Sequence, residues 1–237
     1  MARLPNLVAA LAEHDRRGKP TIAHIARVVR DDDLIASRTR GVGASVMTMA
    51  DAATLLMGVI GDSSPGGAAA AVKSLRELRP LPWDDHDRRR QEDLSAPLQF
   101  LKGRRGFAET LTLLIEHAPQ LNDWAKQFNV SATGRPAVGL SVKEASLERG
   151  AKKFQAAGVA GLPAYDRAVR IISYVPGVAA EIHLGMPWDQ IEDDDSFHEY
   201  YCHPNLWSDG AAVTDSLCTM EVGLPSLLAL HKAVQGF

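Results

Sequence analysis

The stretch from Lys19 to Gly61 constrains this chain most, because it joins two capped apolar segments through a basic, glycine-punctuated loop. Thr21 stands where an N-cap belongs. After it, Ile22, Ile25, Ala26 and Val29 recur at helical spacing, which leaves His24, Arg27 and Arg30 on the opposite face. Asp31, Asp32 and Asp33 follow at the C-terminal end, where the helix dipole disfavours carboxylates, so the helix is expected to stop there. Leu34 to Val46 has apolar ends around SRTRGVGAS and reads as a hairpin-like loop or wing. Thr48 with Asp51 makes a capping box that opens a second helix, with Ala52, Leu55, Leu56 and Val59 turned inward and Gly61 at its end.

Around this segment the chain divides by composition. Before it, Pro5 suits the opening turn of a helix carrying Leu4, Leu7, Val8 and Leu11 on one stripe, and RRGKP stops that helix. The two helices and the turn of about five residues between them have the skeleton of a helix-turn-helix. After Gly61, the serine-, proline- and glycine-rich segment from Asp62 to Gly67 breaks the chain, and AAAAVKSLRELR forms the last helix of a first module, residues 1–79. Residues 80–106, with Pro80, Pro82, Pro97 and the polar run WDDHDRRRQED, read as a charged linker.

Residues 107–237 read as an α+β domain for association or ligand sensing. Phe107, Leu111, Leu114 and Ile115 mark a helix that Pro119 interrupts. The segments AVGLSVKEASLERGAKKFQ, RAVRIISYV, VAAEIHLG and DSLCTMEVG then change to alternation and predict about four antiparallel strands, closed by a helix from Pro225 to Val234. The expected fold class is therefore α+β, with an N-terminal winged helix-turn-helix module and a C-terminal helix plus small antiparallel sheet.

Charge points the same way. Net charge is −3, but residues 1–49 hold eight basic against five acidic side chains, whereas residues 188–210 hold seven acids and no Lys or Arg. An excess of cations beside a helix and an arginine-tipped loop suits phosphate contact. Lys19, Thr21, His24, Arg27, Arg30, Arg38 and Arg40 are the candidate DNA-binding residues, with His24, Arg27 and Arg30 placed to read bases and the others to hold the backbone. Each of them also suits an ordinary solvated surface.

Other chemistries are less well provided for. HEYYCH offers His198, Cys202 and His203, and Cys218, His183 or a carboxylate would have to complete a metal site, so no resident metal or cofactor is expected. The run Glu192–Asp195 lacks the spacing of a calcium loop, and GVGAS and SPGGA lack the Gly-Lys-Ser/Thr ending of a phosphate loop. No nucleophile elbow or His-Glu-x-x-His occurs, which leaves catalysis without a motif. The apolar runs fall short of the ~20 residues of a membrane span. Two cysteines, with acidic Glu13 and Asp15 directly after the first apolar patch, lead to the expectation of a cytoplasmic protein without a signal peptide.

The combination TIAHIARVVRDDDLI, RTRGVGA and MTMADAATLLMGV resembles the N-terminal region of small regulatory proteins carried by prophages and phage-like elements in proteobacteria. The resemblance covers about the first quarter of the chain. It implies double-stranded DNA as the partner, contacted through Arg27, Arg38 and Arg40. The expected function is a non-enzymatic, dimeric transcriptional regulator of phage-like origin. The alternatives are a small-terminase-like packaging component in which a higher homo-oligomer forms a ring, and a metal protein or enzyme using the His198–His203 region.

Overall fold

Thr48 accepts a hydrogen bond at its side chain from the Asp51 amide, and Asp51 Oδ2 accepts in return from the Thr48 amide at 2.8 Å. This reciprocal cap starts α3 (Met49–Ile60), around which the other elements are arranged. The structure is a computed structural model that describes residues 2–35, 45–81, 94–103, 105–125, 168–175, 179–185, 197–204 and 218–236. Sequence periodicity predicts one inward face for α3. Instead, every residue from Ala52 to Ile60 is buried, because the sequence is apolar or small at nearly every position and neighbours close on all sides.

Helix α1 (Leu4–Ala12) begins with Pro5 in its first turn and buries Leu7, Val8 and Leu11. Helix α2 (Gly18–Asp31) buries Ile22, Ile25, Ala26 and Val29. It starts three residues earlier than Thr21, so Thr21 is not its cap. Its hydroxyl lies inside the first turn and donates to the Arg17 carbonyl at 3.0 Å. Gly18, at φ 76°, supplies the left-handed turn that lets the chain enter α2 directly after α1. Gly58 on α3 serves another purpose: a Cβ there would lie 2.9 Å from Val29 Cγ2, so the missing side chain allows α2 and α3 to approach closely.

Helix α4 (Ala68–Glu77) follows a 3-10 turn at Pro65–Gly67 and buries Ala71, Val72 and Leu75. Helix α5 (Phe107–Glu116) buries Phe107, Thr110, Leu111, Leu114 and Ile115, and after a turn at His117 the chain is helical again over 118–125. Of the stretch 80–106, residues Ala96–Leu101 form a 3-10 turn, and Leu94, Leu98 and Leu101 are buried in the same core as α1 and α3. The final helix, α6 (Leu224–Gln235), packs on α1, α3 and α5. One apolar core thus runs from Ala2 to Leu230.

The sheet is antiparallel and five-stranded, in the order β1-β4-β3-β2-β5. Its strands are β1 (Arg79–Pro80), β2 (Val169–Val175), β3 (Ala179–Leu184), β4 (Phe197–Cys202) and β5 (Cys218–Gly223). Helices plus this sheet make the α+β class expected. Segments RAVRIISYV, VAAEIHLG and DSLCTMEVG supply β2, β3 and β5, whereas residues 137–155, the remaining expected strand, lie outside the described residues. Strand β4 differs from expectation. Its FHEYYC places Phe197, Glu199 and Tyr201 toward the helices and His198, Tyr200 and Cys202 on the other face, and the inward glutamate disguises the period of two. Among the described residues no helix is long and apolar enough to cross a membrane.

Candidate metal centre

The sheet face turned away from the helices carries the only cluster among the described residues with metal-ligand chemistry: Glu181, His183 and His198. Strand geometry places them together. Glu181 and His183 are two residues apart on β3, hence on one face, and the β3–β4 register sets His183 directly opposite His198. The two imidazoles stack with ring centroids 3.9 Å apart and planes 19° from parallel.

Glu181 binds its neighbours through both oxygens. His183 Nε2–H donates to Oε2 at 2.7 Å, and His198 Nε2 lies 3.9 Å from the same oxygen. The Tyr174 hydroxyl, reaching across from β2, donates to Oε1. Burial alone would raise the Glu181 carboxyl, but the hydrogen bonds from His183 and Tyr174, with the His198 imidazole close by, outweigh it and hold the group well below the usual carboxylate range. Tyr174 moves the other way, upward, through burial and its bond to the Glu181 carboxylate, and therefore stays a neutral donor.

These atoms suit a small divalent ion. Tetrahedral bonds of ~2.0–2.2 Å place ligand atoms about 3.4 Å apart. The three candidate ligand atoms all lie within 4.8 Å of one another, and the 2.7 and 3.9 Å separations bracket that value. Closure on an ion requires the stacked rings to tilt until both Nε2 lone pairs point to one centre, with the His183 proton moved or released. The His183 and Glu181 side chains are 15% and 11% exposed and His198 is 45% exposed, so the open side of the cluster faces solvent across His198.

The same face carries Arg170, whose Nε and Nη2 donate to the two oxygens of Glu221 at 2.6 and 3.0 Å. That pairing, set against partial burial, keeps Arg170 firmly charged. Tyr200, opposite Glu181, is raised by burial and by the nearby carboxylate, and its ring tilts against Tyr174 at 6.1 Å.

The His198–His203 region read from the sequence is divided by the fold. Cys202 is on the outer face with His198 but four residues along the strand, about 13 Å at ~3.3 Å per residue, and buried. His203 turns to α4, where its Nε2–H donates to Glu77 Oε2 at 2.8 Å. His183, which the sequence suggests only as a completing ligand, is central, and Glu181 belongs to no motif that spacing reveals. The signal for both is present in VAAEIHLG, where Glu and His fall in phase on one side of an otherwise apolar strand.

The DNA-binding candidates lie elsewhere. Lys19, His24 and Arg27 are exposed on α2, while Thr21 bonds within its helix and Arg30 pairs with Asp31 at 2.8 Å. Asp32 pairs with Lys73 at 2.6 Å. Arg38 and Arg40, with the loop that carries them, lie outside the described residues, as do Arg88–Arg90 and Glu192–Asp195. No protein-family model matches the chain, and neither a curated protein nor a solved structure matches it.

Proposed function

We propose that this protein binds one divalent transition ion through His183, His198 and Glu181. The observation that carries this reading is the convergence of two imidazole nitrogens and one carboxylate oxygen within 4.8 Å on a single sheet face. Two His and one Glu form the ligand set of catalytic rather than structural zinc, since three protein ligands leave a coordination position for water. Such water becomes acidic enough to act as a nucleophile near neutral pH, so the class of chemistry is Lewis-acid activation of bound water.

Calorimetric titration of the chelator-treated chain with zinc tests the reading. One site per chain is expected, with binding lost in His183→Ala and in His198→Ala. Absence of binding in the wild type, or binding in both variants equal to that of the wild type, overturns it.

A second reading concerns α2. Its solvent side presents Lys19, His24 and Arg27, and pairing of Asp31 with Arg30 and Asp32 with Lys73 offsets two of the carboxylates beside it. This supports double-stranded DNA as a partner, in keeping with a phage-like regulator acting as a dimer. Replacement of Lys19 and Arg27 by alanine should weaken duplex binding and make log affinity against log salt shallower by up to about two units. Failure of the wild type to bind genomic fragments at low salt rejects it, and light scattering that gives eight or more subunits moves the reading from a dimeric regulator to a packaging ring.

A further inference from the structure

We infer that Tyr174 is the specificity-determining residue of the Glu181–His183–His198 site: by holding Glu181 Oε1, it restricts the carboxylate to one ligand oxygen and so selects ions that accept four-coordination. The inference rests on the metal reading above. Its own ground is the division of labour at Glu181, where Oε1 accepts from the Tyr174 hydroxyl while Oε2 faces both histidines.

A carboxylate can bind an ion through one oxygen or through both. Bidentate binding consumes two positions and suits larger ions of high coordination number, whereas monodentate binding with two imidazoles leaves a tetrahedral site one position short. Tyr174 approaches from β2, its Cα paired with that of Ala179, two residues before Glu181 on β3, so the bond is a diagonal cross-strand contact. The sheet itself therefore fixes the donor against Oε1. Partners of this outer kind orient the ligand they touch and tune affinity for the ion.

The experiment compares the wild-type chain with Tyr174→Phe in titrations with cobalt(II) and manganese(II). In the wild type, cobalt is expected to give the intense visible absorption of a four-coordinate centre. In Tyr174→Phe the absorption should weaken toward that of a higher-coordinate centre, and cobalt affinity should fall by about 10–100-fold. Manganese affinity should fall less, so the cobalt-to-manganese affinity ratio drops. Tyr200→Phe, which removes a neighbouring phenol without touching the Oε1 bond, should leave spectrum and ratio unchanged.

Unchanged cobalt affinity and spectrum in Tyr174→Phe overturns the role of Tyr174 while leaving the site intact. Cobalt binding by the wild type no stronger than by a His183→Ala/His198→Ala double variant overturns the metal reading and this inference with it. Should Tyr174→Phe not fold, infrared difference spectra of the wild type on zinc loading decide: widely split carboxylate stretches indicate one-oxygen ligation and support the inference, and closely spaced stretches overturn it.

Discussion

Arg17 Nη2 lies 2.7 Å from Asp15 Oδ2, and the same nitrogen donates to the Val59 carbonyl at 2.7 Å. Nη1 donates to the Asp62 carbonyl at 3.3 Å. The turn between α1 and α2 thus delivers a cation to the C-terminal end of α3, where unpaired carbonyls and the helix dipole both favour one. Asp15 orients that cation, since its carboxylate also accepts from Arg17 Nε and from the Arg17 amide. Burial raises the Asp15 carboxyl, but the bonds and charge of Arg17 outweigh it, so the net shift is downward.

The sign of the pH dependence follows from that shift. A carboxyl whose folded pKa is depressed contributes stability above its unfolded value of about 3.9, and loses it as pH falls through that value toward the folded one. Asp15→Asn should therefore be less stable than the wild type at pH 7. The gap between the two should close as pH falls below about 4. Urea unfolding at pH 7 and pH 3 measures both, and a gap that stays constant would show that Asp15 acts through shape and not charge.

Tyr201 makes the corresponding link between sheet and helices. Its hydroxyl donates to Glu199 Oε2 at 2.5 Å, lies 3.1 Å from Thr110 Oγ1, and its ring meets Phe107 edge-on at 5.3 Å. Burial and the Glu199 carboxylate both push the phenol upward, which favours its neutral, donating form. Tyr201→Phe keeps the ring contact but takes a hydrogen bond from a buried carboxyl. A loss of about 1–3 kcal/mol is expected in denaturant unfolding, with the slope unchanged.

The cap of α3 offers a cleaner local measurement. Thr48→Ala removes the acceptor for the Asp51 amide together with the hydroxyl's own bond to Asp51 Oδ2, and keeps the Thr48 amide bond to that carboxylate. About 1 kcal/mol should be lost. Asp51→Ala should cost a similar amount, and the double variant less than the sum, because each residue serves the other's backbone.

How much was legible in the sequence depended on range. The α3 cap, the stripe of α2 and the apolar positions of α5 were readable because their partners lie within four residues. Thr21 misled, since a hydroxyl near a helix start has the same composition whether it caps or, as here, bonds back to Arg17 from inside the turn. Glu199 obscured β4: a glutamate on an inward position breaks the apolar alternation, and only Tyr201 and the surrounding fold explain why it is tolerated. The Glu181–His183–His198 cluster was out of reach for a different reason. Its chemistry depends on the β3–β4 register, and nothing within either strand states that His183 faces His198.

The close approach of α2 and α3 gives the last prediction. A Cβ at Gly58 would meet Val29 Cγ2 at 2.9 Å and Ile25 Cγ2 at 3.2 Å, both on stiff β-branched side chains. Alanine is the better helix former by ~1 kcal/mol, whereas overpacking costs about 1–3 kcal/mol, so Gly58→Ala should be net destabilising by up to about 2 kcal/mol. Val29→Ala alone should also destabilise, by creating a cavity under α2. In the double variant the new methyl occupies space that Val29 vacated, so the two losses should partly cancel. A double-mutant cycle in urea reads this as a favourable coupling of at least ~0.5 kcal/mol, and strict additivity would show that the helices separate to accept the methyl instead of pressing on Val29.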